Sequence, residues 1–538
     1  MIKSKKKNRF FLILIISLLS LFVFRIILTH TIGSKGMAYF SVSNDLFFLL
    51  AVAFSFGLEK AVDLLVDGYM QRQQYENAKR VVRGGGMAAL IIGLLISFLL
   101  YLLSGKVTGG LFKMPLSSMG FYCIIPTIPF VLLTGVLRGY FSGINNNFLM
   151  NQSYVVFIST YLVFGYLGSF SLGNYGNKVS LLLKVDDFKY SYAAMGACIG
   201  ILISAILTFL HALVLFILLS KRTDYNNGRD YSKSLESIPG LAVSLVINSL
   251  LPFALFGSFI LTFLVNEIFI LSSDKDTQTA VEFTFGEYYG KSISVAYIFA
   301  LLIVLLIYNL LRKSISFSYK EEYRKAREQL MRMIHRGATL GFFVLGMVIV
   351  FSENILGILY VDNGASTVSN LQIEAISIIF AAFALVLVEI LVQLGYINLT
   401  GIIALGSCVI HIVVSLIMVY SLKLSIKGAI IGNIIFFALV CGVSFVIVSR
   451  IFQYTQEWFR CFVVSFIGAG VSSLIGLFIN KAIASKVGNL ISLIIVLVIC
   501  IIVYAIILLA LRGYDEEELE ESVPGRIMLA LGRTFNLI

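Results

Sequence analysis

Asn77-Ala78-Lys79-Arg80-Val81-Val82-Arg83-Gly84, with the apolar run that follows it to Gly110-Leu111-Phe112, decides the fold because it occurs twice. The second edition is Lys325-Ala326-Arg327, then Arg332-Met333-Ile334-His335-Arg336-Gly337, then an apolar run ending Gly357-Ile358-Leu359-Tyr360. Two further pairs keep the same order and direction. Arg138-Gly139-Tyr140 is echoed by Leu394-Gly395-Tyr396, and Met195-Gly196-Ala197-Cys198-Ile199-Gly200 by Lys427-Gly428-Ala429-Ile430-Ile431-Gly432. An apolar chain built as two parallel halves has a natural cleft at their junction, where many transporters place the substrate.

Of the 538 residues, 59% are hydrophobic and 13% charged, whereas a soluble globular chain carries roughly 25% charged residues. Apolar runs of roughly 20 residues, each enough for one helical crossing of a bilayer, recur from end to end. The expected fold is therefore an all-α polytopic membrane protein. Helices are expected near 10–30, 40–66, 84–104, 117–138, 150–170, 190–220, 237–270, 290–312, 337–357, 371–396, 400–421, 427–449, 459–480 and 488–511, about fourteen in all. The six cysteines, Cys123, Cys198, Cys408, Cys441, Cys461 and Cys500, fall within or at the edges of these runs with no CxxC or Cys/His spacing. They read as small thiols packed between helices, and neither a metal nor a cofactor is expected.

The net charge of +12 does not form a nucleic-acid surface, because Lys and Arg alternate between loops as membrane topology requires. Lys3, Lys5, Lys6, Lys7 and Arg9 precede the first helix; Arg72, Lys79, Arg80 and Arg83 follow the second; Lys221, Arg222, Arg229 and Lys233 follow the sixth; and Lys313, Lys320, Arg324 and Arg327 follow the eighth. Both termini come out cytoplasmic, which demands an even number of crossings and agrees with fourteen. The opposite side has the loop His30 to Phe40, a Gly- and Asn-rich loop over 171–189 with Asp186-Asp187, and an acidic one through Asp274, Asp276, Glu282 and Glu287. Two amphipathic segments, Lys320 to Gly337 and Arg526 to Ile538, read as helices lying on the inner membrane surface.

The first 143 residues carry a further pattern: Arg25, Thr31-Ile32-Gly33, Gly36-Met37-Ala38-Tyr39-Phe40, Phe56-Gly57-Leu58 with Ala61-Val62, Asn77 to Val81, and Leu137-Arg138-Gly139-Tyr140-Phe141-Ser142-Gly143. It resembles the polysaccharide-transporter branch of the multidrug/oligosaccharidyl-lipid/polysaccharide (MOP) exporter superfamily, with stage V sporulation protein B-like and lipid II flippase-like members nearest. The resemblance implies two six-helix lobes, 1–236 and 237–456. An additional transmembrane pair over 457–511 would form a lateral groove for a lipid tail, and 512–538 would be a cytoplasmic amphipathic tail. It implies a flippase of the cell membrane that moves a polyprenyl-pyrophosphate-linked sugar or oligosaccharide by alternating access. The expected partners are that lipid-linked glycan, membrane lipids and a coupling ion, proton or sodium; the expected working unit is a monomer. A pyrophosphate headgroup does need a wet, cationic path through hydrocarbon.

Charged residues inside apolar helices are costly and face a cavity or a partner. Arg25, about two-thirds along the first helix, is the leading candidate for the lipid phosphate, since a guanidinium can fork onto phosphate oxygens. The resemblance places an arginine of this helix in the central cavity; the alternatives are a snorkelling arginine or one paired to a carboxylate. Glu59, Lys60 and Asp63 in the second helix are candidate cavity-lining residues, Glu59 and Asp63 sharing a face and Lys60 within pairing distance of Asp63. The family pattern has small or apolar residues where Glu59 and Lys60 stand. Arg138 ends the fourth helix and is a candidate substrate contact or a gate, with Gly139 and Gly143 permitting close approach or a turn. Glu267 and Glu389 are candidate coupling-ion sites, Gln393 lying one turn beyond Glu389.

Two other functions fit less of the sequence. A cation-coupled drug or metabolite antiporter of the same superfamily favours about twelve helices and little need for Arg25. A membrane glycosyltransferase or polymerase needs acidic catalytic groups on an external loop, and Asp186-Asp187 is the one pair available, with no supporting motif. No enzyme is expected. The topology has a direct check: a cysteine introduced at Lys320 is expected to react with a membrane-impermeant maleimide only from the cytoplasmic side, and labelling in intact cells would overturn the orientation.

Overall fold

Backbone N–H and C=O groups in hydrocarbon find no water, so a segment that crosses a bilayer alone must bond within itself as a helix. The computed structural model of this chain describes residues 10–226, 230–232, 234–273, 278–360, 363–520 and 523–534. Lys3 to Arg9, Arg229, Lys233, Asp274 and Asp276 lie outside the described residues. Among the described residues there is no strand, and thirteen helical stretches are long and apolar enough to cross a membrane. The first, Phe10–Gln71, has 62 residues. At ~1.5 Å per residue it would be a rod of about 90 Å, against a hydrocarbon core of about 30 Å. Gly33 interrupts it at φ 72 and ψ 172, a conformation that a residue without Cβ adopts freely. The stretch therefore supplies two helices, α1 (10–32) and α2 (34–71), each longer than one crossing requires, and the total is fourteen.

The others are α3 Tyr75–Leu111, α4 Pro115–Gly143, α5 Asn147–Leu183, α6 Asp187–Leu219, α7 Ile238–Ser273, α8 Ala280–Tyr319, α9 Tyr323–Leu359, α10 Ala365–Gln393, α11 Ile397–Ser421, α12 Ser425–Ile451, α13 Phe459–Ile483 and α14 Asn489–Ala510. Two short helices follow, α15 Glu516–Glu520 and α16 Val523–Thr534. The chain forms two compact units, one of Met1–Gly290 with Tyr396–Phe436, the other of Lys291–Gly395 with Phe437–Ile538. In the first unit α2 packs on α4 and α7, α5 on α6, and α7 on α11. In the second, α9 packs on α8, α10 and α13, and α13 on α14.

The expected helices are all present, but several expected loops are helix. The segment His30 to Phe40 is helical on both sides of Gly33. Most of 171–189 belongs to α5 and α6, leaving Lys184, at φ 54, and its two successors as the connection. Polar composition misleads here because the helices run on past their apolar stretches. Lys320 to Gly337 is likewise no separate surface helix. From Tyr323 on it forms the first turns of α9, and its stripe Ala326, Leu330 and Met333 is buried against protein, while Tyr323 is exposed. In the tail, Leu529 of α16 packs with Leu509 and Leu519. Arg460 of α13 holds the approach to that tail, its guanidinium 2.6 Å from Asp515, and this keeps the Asp515 carboxyl below its ordinary range.

The glycine repeat has a physical job. A Cβ on Gly196 of α6 would lie 2.2 Å from the Gly168 carbonyl oxygen of α5, and one on Gly200 would lie 2.4 Å from the Gly165 backbone. Helices in lipid gain no hydrophobic drive from meeting and rely on such close backbone approach. In the second copy the glycine makes room for side chains instead, because a Cβ on Gly432 of α12 would meet the Ser415 hydroxyl of α11 at 2.0 Å. Gly196→Ala is accordingly expected to lower stability by about 1–3 kcal/mol through overpacking. Gly406→Ala, at a position with nothing within 4 Å, is the matched control. Thermal unfolding of the purified variants in detergent distinguishes the two.

Candidate functional site

Among the buried polar groups of the first unit, two place an arginine on a tyrosine that is bonded to a carboxylate. Arg25 on α1 stands over the ring of Tyr289, 4.1 Å from its centroid, and its Nη2 donates to the Tyr289 hydroxyl at 3.1 Å. Among the described residues that is its one hydrogen bond, so its other guanidinium N–H groups have no protein acceptor. The Tyr289 hydroxyl donates to Asp45 Oδ1 at 2.5 Å and accepts from Asn44 Nδ2 at 2.9 Å. Asn44 also donates to Asp45 at 3.0 Å. One turn before Asp45 on α2, Ser41 contacts Glu267 of α7 by a hydrogen bond. Asp45, Asn44, Tyr289, Ser41 and Glu267 are all buried. Tyr289 lies on a π-turn, Tyr288–Ser292, and Asp45 just before another, Phe48–Ala53. Such one-residue irregularities interrupt helices most often at functional sites.

The second group centres on Tyr154 of α5. Its hydroxyl donates to Glu59 Oε2 at 2.5 Å, and its ring lies 3.7 Å below the Arg138 guanidinium. Arg138 also donates to the Ser153 hydroxyl at 2.6 Å and to the Ser153 carbonyl at 3.3 Å. Lys60 places its ammonium over Phe10 and Phe56, 4.5 and 5.4 Å from the ring centroids, and so borders the group by cation–π contact. Asp63 lies one turn beyond Glu59 on α2. Arg138 does not end its helix, since α4 continues to Gly143. Gly139 serves close approach rather than a turn, its Cα facing the Glu59 carbonyl so that a Cβ would come to 2.5 Å. Leu14, Ser17, Phe48, Thr134, Arg138 and Tyr154 border a partly open pocket beside this group.

Of the charged residues singled out in the sequence, Arg25 and Glu267 thus stand in one cluster, linked by the helical turn between Asp45 and Ser41, and Glu59 and Arg138 in another. Glu389 stands in the second unit, where Gln393 donates to it at 2.6 Å. Sequence reasoning missed Asp45, which sits in Ser41-Val42-Ser43-Asn44-Asp45, although a carboxylate one turn past a serine within an apolar helix is a visible signal. It also missed Tyr289 and Tyr154, for which no local signal exists. No group of three or more His, Cys, Asp or Glu side chains is placed to hold a metal among the described residues, and the six cysteines are free thiols.

The fold is similar to that of solved transporters of the MOP superfamily. Among solved structures, an inward-facing multidrug resistance MATE family transporter of the MOP superfamily is similar with a TM-score of 0.63 at 13% identity, covering 81% of this chain and 94% of that one. The lipid II flippase MurJ in an inward closed conformation is similar with a TM-score of 0.60 at 15% identity, covering 92% of this chain and 98% of that one. A MOP superfamily transporter from Pyrococcus furiosus gives 0.58 at 13% identity, over 83% and 95%. Among curated proteins, stage V sporulation protein B of Bacillus subtilis (strain 168) is 24% identical over 125 residues. That match spans 23% of this chain and 24% of the relative's length. No family model matches the chain.

Tyr289 joins Arg25 to Asn44 and Asp45. Tyr289→Phe removes the acceptor of Arg25 and a donor to buried Asp45, and is expected to cost about 1–3 kcal/mol of stability. Asn248→Ala serves as the comparison, because Asn248 is exposed and bonds only its own helix turn. Thermal denaturation in detergent reads the difference.

Proposed function

We propose that this chain is a flippase or exporter of the cell membrane that moves a polyprenyl-pyrophosphate-linked sugar or oligosaccharide, a cell-wall or surface polysaccharide precursor, by alternating access of its lobes 1–236 and 237–456. Arg25 is the observation that carries this reading: a permanent cation deep in the first helix, seated on an aromatic ring, with guanidinium donors left over after one hydrogen bond. A pyrophosphate crossing hydrocarbon needs such a partner, and a fork of N–H groups meets phosphate oxygens two at a time. Glu59, Lys60, Asp63 and Arg138 are assigned to the sugar-bearing part of the path, and Glu267 and Glu389 to ion coupling.

The lipid tail also has a counterpart. Phe299, Phe343, Met347, Phe351, Leu493 and Leu497 line a partly open apolar pocket in the second unit, formed by α8, α9 and α14. A prenyl chain loses nothing by leaving lipid for such a wall, so the headgroup can travel while the tail stays in hydrocarbon. The similarity to a lipid II flippase and to a sporulation protein of the same superfamily supports the glycan branch. A cation-coupled drug or metabolite antiporter is the second reading, favoured by the similarity to multidrug transporters.

Purified protein in liposomes containing a fluorescent polyprenyl-linked sugar provides the test. Headgroup exposure is expected to equilibrate between leaflets with the wild type. Arg25→Ala is expected to slow this severely and Arg25→Lys partly, at normal protein levels, for a loss of roughly 1.5–3 kcal/mol of binding. Gradient-driven efflux of a soluble drug without glycan transfer would favour the antiporter. A new glycosidic bond would make it an enzyme.

A further inference from the structure

The hydroxyl of Ser41 has one proton and two acceptors within reach. It lies 2.7 Å from the Ala38 carbonyl oxygen and in hydrogen-bond contact with Oε1 of Glu267. A serine hydroxyl donates once and accepts up to twice. Ser41 can share its proton between both oxygens, or it can donate to Ala38 alone and accept from a Glu267 that carries a proton; the second arrangement gives each contact a proton of its own. The neighbouring carboxylate is bonded in the opposite sense. Tyr289 accepts from Arg25 and Asn44 and gives its one proton to Asp45, which also receives a proton from Asn44. Asp45 is then the ionised member, neutralised by Arg25, and a protonated Glu267 leaves the network uncharged.

The two carboxyls are neighbours, because Ser41 and Asp45 are four residues apart on one face of α2. Each has a second oxygen, Asp45 Oδ2 and Glu267 Oε2, that is buried and has no hydrogen-bond partner among the described residues. The groups that face them are Arg25 from α1, Ser41 and Asn44 from α2, and Tyr289 from α8. An ionised Glu267 would put a second negative charge into apolar surroundings with one cation to answer both. Two unpartnered oxygens suit a proton, whereas a hard metal cation takes about six or more oxygen ligands.

We infer that Glu267 is a proton-binding site linked to anion capture at Arg25, an inference that rests on the reading of Arg25 as the headgroup phosphate site. With the proton bound, Arg25 answers Asp45 alone, through Tyr289, and its remaining N–H groups take a phosphate. With the proton gone, two carboxylates compete for the one guanidinium and hold it from the ligand. The linkage is reciprocal, so phosphate capture draws a proton onto Glu267. The proton moves between solvent and a Glu267 oxygen, and no other bond forms or breaks.

Calorimetric binding of farnesyl pyrophosphate to the full chain in detergent, at a series of pH values from mildly acidic to mildly alkaline, reads this linkage. Beyond the ligand's own titration, the wild-type affinity is expected to fall with rising pH by up to about tenfold per unit, the value for one linked proton. Glu267→Gln, a mimic of the protonated side chain, is expected to lose that added dependence and to keep the low-pH affinity throughout. Equal pH dependence in wild type and Glu267→Gln, with binding still weakened by Arg25→Ala, overturns the proton site and leaves the phosphate reading standing. Binding unaffected by Arg25→Ala overturns the phosphate reading and the linkage with it. Dependence on sodium in place of pH also overturns the proton assignment. Infrared spectra supply a readout that needs no ligand: a protonated-carboxyl band is expected in the wild type and its loss in Glu267→Gln, and its absence from the wild type refutes the assignment.

Discussion

A polar group inside hydrocarbon must find its partner within the protein, and most features of this chain follow from that constraint. It makes every crossing a helix. It makes each intramembrane charge part of a group rather than a solitary side chain, as Arg25 is with Tyr289 and Asp45, and Glu59 with Tyr154 and Arg138. In both groups a tyrosine stands between the acid and the arginine. A phenol suits that place because its ring faces the cation and its hydroxyl binds the carboxylate, so the two charges are matched without direct contact.

That arrangement bears on transport. A guanidinium locked onto a carboxylate by two hydrogen bonds would have to break both to bind a ligand. The Arg25 guanidinium instead rests on a ring and makes a single hydrogen bond among the described residues, which leaves most of its donors for a ligand. Arg138 is held more firmly, through Ser153 as well as Tyr154, which fits a positioning part better than a mobile one.

What could be read from the sequence depended on contrast. Arg25, Glu59, Arg138, Glu267 and Glu389 were visible because a charge stands out in an apolar run, and the helix positions because the runs have spanning length. Asp45 was masked by the polar residues Ser41, Ser43 and Asn44 around it. Tyr289 lies 264 residues from Arg25, and no local pattern announces a partner at that separation. The same reliance on contrast produced the errors in the loops, since polarity marks the end of the hydrocarbon and not the end of the helix. The stripe Ala326, Leu330 and Met333 was correctly seen as one face, but a face alone does not say whether lipid or protein covers it.

The seam between α5 and α6 has an evolutionary consequence. At Gly168, Gly196 and Gly200 an added β-carbon would run into main chain of the facing helix, with no side chain to repack. Every single-base missense change in a glycine codon introduces a β-carbon. Mutation therefore has no gradual route across this seam, whereas the lipid-facing surfaces of the same helices can exchange one apolar residue for another freely. Distant descendants of this gene would be recognised here by what is missing from the side chains, after most of the residues around it had drifted.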